Sequence, residues 1–324
     1  MVKLASAEMA EKKLATRAAF GATLAELAEE GVPVVAVDAD LTGSTTTKKF
    51  AAAAPENADK LFNCGIAEQN MIDVAAGLAL TGHVAYTGSF AVFGTGRAYD
   101  QIRNTVCYSN LDVKICPTHA GVSVGPDGGS HQMLEDISLM RGLPNMRVLV
   151  PADYAAARAV IKLAAKTPGP VYVRMGRAAV PCVYDDDVEL ELGRAYVLRE
   201  GSDATVVACG VEIREALAAA DALAEEGISI EVIDAFSVKP LDEDTITASV
   251  AKTGCCVVAE EHSVHGGLGS AVAECLARKN PAPCEFVGVQ DRFGKSGEFE
   301  ELLGYFNLDA AAIVEAVKRA MGRK

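Results

Sequence analysis

The sequence is short of positive charge, with 30 Lys and Arg against 44 Asp and Glu and a formal net charge of −14. Nucleic-acid binding needs a basic stripe that releases counterions from phosphates, so no nucleic-acid partner is expected. No apolar run reaches the ~18–20 residues that span a bilayer, and no membrane partner is expected. Residues 1–13 alternate charge with alanine where a signal peptide would carry an apolar block, so the expected location is cytoplasmic. The nine cysteines are odd in number and include no C-x-x-C pair, which argues against a disulfide framework or a zinc site. Most lie in apolar runs and read as buried thiols. Neither G-x-G-x-x-G nor a P-loop is present, and the acidic run Asp185–Asp187 reads as a solvated loop rather than a metal site.

The chain is otherwise rich in what a packed α/β protein needs. Half of its 324 residues are hydrophobic, and that length accommodates two domains. Short β-branched runs at 32–38, 61–64, 84–87, 113–117, 148–150 and 171–174 alternate with Ala- and Leu-rich segments of helical period at 14–30, 67–80, 96–108 and 154–166. This pattern predicts a doubly wound parallel-sheet domain over 1–185. A charged stretch at 186–203 reads as a linker. A second alternation predicts a smaller α/β domain over 204–324, with strands at 205–209, 228–233, 256–260 and 285–289 and helices at 212–226, 269–278 and 310–321.

Ligands of open parallel sheets bind beyond the carboxyl ends of the strands, so the residues just after each strand carry the functional information. They include Asp40 and Ser44 after the first, Glu68 after the second, Phe90 and Phe93 after the third, the loop from His119 through Asp127 to His131 after the fourth, and Arg174 and Arg177 after the sixth. Each has an ordinary alternative. Glu68 in a first helical turn complements the helix dipole, and Phe90 and Phe93, three apart, suit a core. His83 reads as structural, and His262 and His265 are open.

In combination these segments resemble the C-terminal half of a transketolase. The resemblance rests on Thr16-Arg17, Asp40-Leu-Thr-Gly-Ser44, Gly65-Ile-Ala-Glu68-Gln-Asn70, Phe90-x-x-Phe93, Gly96-Arg-Ala-Tyr-Asp-Gln-Ile102, His119 through Asp127 to His131-Gln132, and Val173-Arg-x-Gly-Arg177. It extends to Val258-Ala-Glu-Glu-His262 and His265-Gly-Gly-Leu-Gly-Ser270. It implies thiamine diphosphate as coenzyme and two-carbon ketol transfer between sugar phosphates. It further implies Glu68 on the pyrimidine N1′, Phe93 and Phe90 against the pyrimidine ring, and Asp40 on the coenzyme side. Arg17, Ser44, His119 and Arg177 would hold the sugar phosphate, Asp127 would read a hydroxyl, and His131 would lie near the reacting carbonyl. The family's diphosphate-binding Gly-Asp-Gly motif is absent from the chain. An N-terminal transketolase subunit is therefore expected to supply the diphosphate site and the Mg²⁺ ligands, with self-association completing a heterotetramer.

Three other readings remain open. The length and domain order also resemble the beta subunit of a 2-oxo-acid dehydrogenase decarboxylase component, whose acyl transfer needs no phosphate-binding arginines. Deoxyxylulose-phosphate synthase shares the Gly-Ile-Ala-Glu-Gln and Arg-Ala-Tyr-Asp-Gln segments but is one long chain. A non-catalytic scaffold has no use for intact Glu68, His119, Asp127 and His131.

Overall fold

The structure is a computed structural model that describes residues 2–324. Its strands in chain order are β1 (Lys13–Ala15), β2 (Val34–Asp38), β3 (Leu61–Asn63), β4 (Val84–Gly88), β5 (Val113–Ile115), β6 (Arg147–Leu149), β7 (Val171–Val173) and β8 (Ala179–Pro181). They continue with β9 (Tyr196–Arg199), β10 (Ala204–Ala208), β11 (Ile230–Asp234), β12 (Ser237–Lys239), β13 (Cys256–Ser263) and β14 (Cys284–Val289).

The first sheet has the order β12-β6-β7-β5-β4-β2-β3. Every pairing from β6 to β3 is parallel, as the alternation predicts. β2, β4, β5 and β7 are buried along their whole length, because helices on both faces leave no wet side and the strands read as continuous apolar runs. The second sheet, β14-β13-β10-β11-β9, is parallel except for β9, which runs antiparallel to β11.

Two departures from the sequence reading tie the domains together. The stretch 186–203, expected as a linker, carries β9 as an edge strand of the second sheet. The segment after β11 crosses back, so that β12 pairs antiparallel with β6 and gives the first sheet a seventh strand. Val150 N donates to Phe236 O at 2.7 Å and Tyr184 Oη donates to Asp234 Oδ2 at 2.5 Å, both between the two units. A single apolar cluster runs through both, from Phe20 and Tyr86 to Phe236 and Phe306.

The expected helix at 96–108 is not regular. Val92–Arg97 and Ile102–Cys107 are π-helical on either side of Tyr99–Gln101, a geometry found mostly as short insertions at functional sites. Helices Glu243–Thr253 and Phe299–Phe306 were not expected. All nine cysteines are free, and all but Cys64 and Cys284 are buried. Among the described residues no helix is long and apolar enough to cross a membrane.

Candidate active site

The carboxyl edge of the first sheet gathers most of the side chains singled out by sequence. After β3 the chain turns through Gly65 and enters helix Glu68–Leu80, so Glu68 stands in the first turn. Its carboxylate is 2% exposed and accepts from Arg97 Nη1 at 2.9 Å. The Arg97 guanidinium also lies 4.6 Å from the centroid of the Phe93 ring, so one half-exposed cation bridges a buried carboxylate and an aromatic face. Arg97 belongs to a segment quoted for the resemblance, but no role was expected for it.

The aromatic group continues without a break. Phe90 stacks on His119 with centroids 3.8 Å apart, and Phe93 meets His131 edge-on at 5.3 Å. Phe90 and Phe93 are themselves stacked at 6.2 Å. Phe90 is fixed by a bridge to Thr118 that prolongs the β4–β5 pairing, and Phe93 by the π-helical turn. Phe90 is thus buried, as the core reading expects, and its ring lies against both histidines.

His119 adopts φ 62°, a left-handed conformation that costs a non-glycine residue about 1 kcal/mol or more. Its Nδ1 lies 2.7 Å from Thr118 Oγ1. Burial, then the charges of Arg17 and Arg177 and the neighbouring His131, push its pKa down to about 3. The ring is therefore neutral near pH 7. Its lone hydrogen can serve an anion without carrying charge.

Arg17 and Arg177 come together through the backbone. Thr16 Oγ1 accepts from Gly176 N at 2.9 Å, so the residues following Thr16 and Gly176 are neighbours. Arg17 Nη1 donates to Ser44 O at 2.9 Å, and Arg177 Nη1 donates to Val124 O at 3.2 Å. Among the described residues neither guanidinium pairs with a carboxylate, and burial followed by the charge of Arg177 lowers the pKa of Arg17. Two facing cations with no counter-ion are poised for an anion with bidentate geometry. Ser44 is placed by Asp38, whose buried carboxylate accepts from Leu41 N and from the hydroxyls of Thr45 and Thr47.

Asp127 ends a 3₁₀ segment, Val122–Asp127, that is broken by a kink at Gly125, and its side chain is exposed. Asp40 is also exposed, with φ 65°, and the contacts shown for it are with Asn63, at 3.2 and 3.3 Å. None of those contacts joins it to Glu68, Phe90 or Phe93. His262 is buried at the domain junction and its Nε2 accepts from Ser138 N at 3.3 Å, whereas His265 is at the surface. Among the described residues no group of His, Cys, Asp or Glu forms a metal cluster.

A flat nitrogen heterocycle fits this arrangement. Glu68 offers a desolvated carboxyl group, and the Phe93 face beside it already carries a planar guanidinium, the kind of occupant an aromatic ring can replace.

A family model described as transketolase, pyrimidine binding domain, matches residues 12–183, and one described as transketolase, C-terminal domain, matches residues 193–313. A putative transketolase C-terminal section of Methanocaldococcus jannaschii is 45% identical over 95% of this chain and 96% of its own length. Human transketolase is 37% identical over 94% of this chain, which spans 49% of the human protein. A solved structure described as a split gene transketolase, inactive beta4 tetramer, superposes with a TM-score of 0.88 at 48% identity, covering 97% of this chain and all of the other. These matches favour the transketolase reading over the 2-oxo-acid dehydrogenase and scaffold alternatives. On this evidence the chain belongs to the transketolase family.

Proposed function

We propose that this chain is the C-terminal subunit of a split transketolase, which moves a two-carbon ketol unit between sugar phosphates with thiamine diphosphate and works only with a subunit that holds the diphosphate and Mg²⁺. The observation that carries this reading is the buried Glu68 carboxylate beside Phe93, at one end of an aromatic wall whose other end is the unpaired Arg17–Arg177 cluster. The likeness to a free-standing C-terminal section and to half of a longer transketolase supports the division into two polypeptides. The related inactive tetramer supports both self-association and inactivity without the partner.

When bound, thiamine diphosphate would supply nucleophilic chemistry at its thiazolium C2. Everything else falls to this chain's residues and to the partner. Glu68 holds a hydrogen bond to the pyrimidine N1′, a charge-assisted contact in a desolvated site and correspondingly strong. Phe93, with Phe90 behind it, packs against the ring. Asp40, on the same edge, is assigned to the coenzyme side of the seam.

Arg17, Arg177, Ser44 and His119 receive the terminal phosphate, His119 as a neutral donor between two cations. Asp127 accepts from a sugar hydroxyl. His131, edge-on to Phe93, donates to the oxygen of the reacting carbonyl and carries a proton there, a role suited to an imidazole. Because the net charge is negative, the attraction of an anionic sugar is local to this cluster.

The test is reconstitution with the diphosphate-binding subunit, thiamine diphosphate and Mg²⁺. Ketol transfer from xylulose 5-phosphate to ribose 5-phosphate is expected. Pyruvate turnover with lipoamide, or no transfer to any aldose phosphate, would overturn the reading.

A further inference from the structure

The loop from His119 to His131 has no regular secondary structure beyond a 3₁₀ segment kinked at Gly125, yet it must present three site residues in register. Arg177 and Gln132 hold part of it from within the first domain, and the rest of its support comes from the other domain. Glu261, near the end of β13, is 3% exposed and points across the domain boundary into this loop, where its Oε1 accepts from Ser123 N at 2.5 Å. Arg174, also buried, donates from Nη2 to the Glu261 carbonyl at 2.9 Å, and its Nη1 lies 3.6 Å from Glu261 Oε2. Arg174 in turn donates from Nε to Asp136 Oδ2 at 2.7 Å.

Gly121, two residues after His119, has φ 79°, and a methyl group there would overlap the Glu261 carboxylate. The loop is thus shaped around this one side chain. A second anchor lies beyond Asp127. Gln132, directly after His131, donates to Lys295 O at 2.9 Å and accepts from Lys295 N at 2.8 Å.

We propose that Glu261 is a positioning residue for sugar-phosphate binding: by fixing Ser123 N and seating Gly121, it sets where the loop places His119, Asp127 and His131. The inference rests on the transketolase reading and gives the C-terminal domain a part in the site. Glu261 has no contact with the Glu68–Phe93 group, so it bears on the sugar and not on the coenzyme. Losing a hydrogen bond to a charged acceptor costs about 1.5–3 kcal/mol, roughly a ten- to hundredfold change in affinity.

The experiment compares wild type, Glu261→Ala and Glu261→Gln in the reconstituted complex, measuring KM for xylulose 5-phosphate and ribose 5-phosphate and, separately, the Kd for thiamine diphosphate. Glu261→Ala is expected to raise KM about tenfold or more while coenzyme Kd stays at the wild-type value. Glu261→Gln keeps an acceptor for Ser123 N and is expected to recover part of the loss. Unchanged KM in Glu261→Ala, or a loss of coenzyme affinity in step with KM, would overturn the proposal. Should Glu261→Ala fail to assemble, Glu261→Gln decides alone: a raised KM with normal coenzyme Kd supports it, and wild-type values for both overturn it. An inactive wild-type complex would instead defeat the functional reading itself, before any variant is compared.

Discussion

Two guanidinium groups without carboxylate partners and a histidine kept neutral are costly to hold in place, and each has a measurable signature. For His119 the folded pKa of about 3 lies below the ordinary imidazole value of 6.5. The unfolded chain therefore binds more protons between those values, and the stability tied to the neutral ring is complete above pH 6.5 and lost as the pH falls toward 3. The slope reaches about 1.4 kcal/mol per pH unit for one such group. Replacement by glutamine should remove that slope, so the stability difference between wild type and His119→Gln shrinks from pH 7 to pH 5 in denaturant unfolding. A difference independent of pH would contradict the assignment. Arg97 makes a second test, because it covers the place assigned to the pyrimidine. Removing the guanidinium uncovers Glu68 and the Phe93 face, so Arg97→Ala should bind thiamine diphosphate more tightly in calorimetry, and weaker binding would refute the overlap. His119 and Arg177 were legible in sequence because each follows a strand whose apolar run is plain, whereas the strand before Glu68 is only Leu61–Asn63 and Glu68 stands out through the segment 65–70. Glu261 and Gln132 were not, because their partners lie 138 and 163 residues away in the chain.

The two strands that sequence periodicity missed share a cause: their pairing is non-local, and one is very short while the other is charged. β12 has three residues and finds its partner in β6, some ninety positions earlier. β9 lies in a charged stretch, and only its place against β11 makes it a strand. The π-helical turns at 92–97 and 102–107 differ from an α-helix only in hydrogen-bond spacing, which no residue periodicity reports. The seam these elements create contains Asp234, wholly buried, with Oδ1 unpartnered and its pKa pushed up to about 7 by burial. Raised above its unfolded value, this carboxyl group stabilises the fold at low pH and penalises it progressively as the pH climbs through 7. Asp234→Asn, which keeps an acceptor for the Tyr184 hydroxyl, should therefore stabilise the protein more at pH 8.5 than at pH 5, by more than about 1 kcal/mol. Thermal unfolding at the two pH values checks this, and an equal effect at both would contradict it.

Across the whole molecule, the two domains act as one body because they share a strand, an apolar cluster and the buried network at Glu261. In the proposed function, the carboxyl edge of the first sheet supplies the groups for a sugar phosphate and the pyrimidine, while the family's diphosphate motif is absent from the chain. That division explains why a subunit so fully folded is expected to be idle by itself. In the proposed function, the Glu68 carboxyl group receives the coenzyme's pyrimidine at a seam with another polypeptide. This contact is tested most directly by titrating thiamine diphosphate with Mg²⁺ into the reconstituted pair, wild type against Glu68→Ala, after confirming that both pairs assemble. Loss of one charge-assisted hydrogen bond predicts affinity lower by about ten- to a hundredfold in the variant. Equal uptake by both pairs would contradict the account.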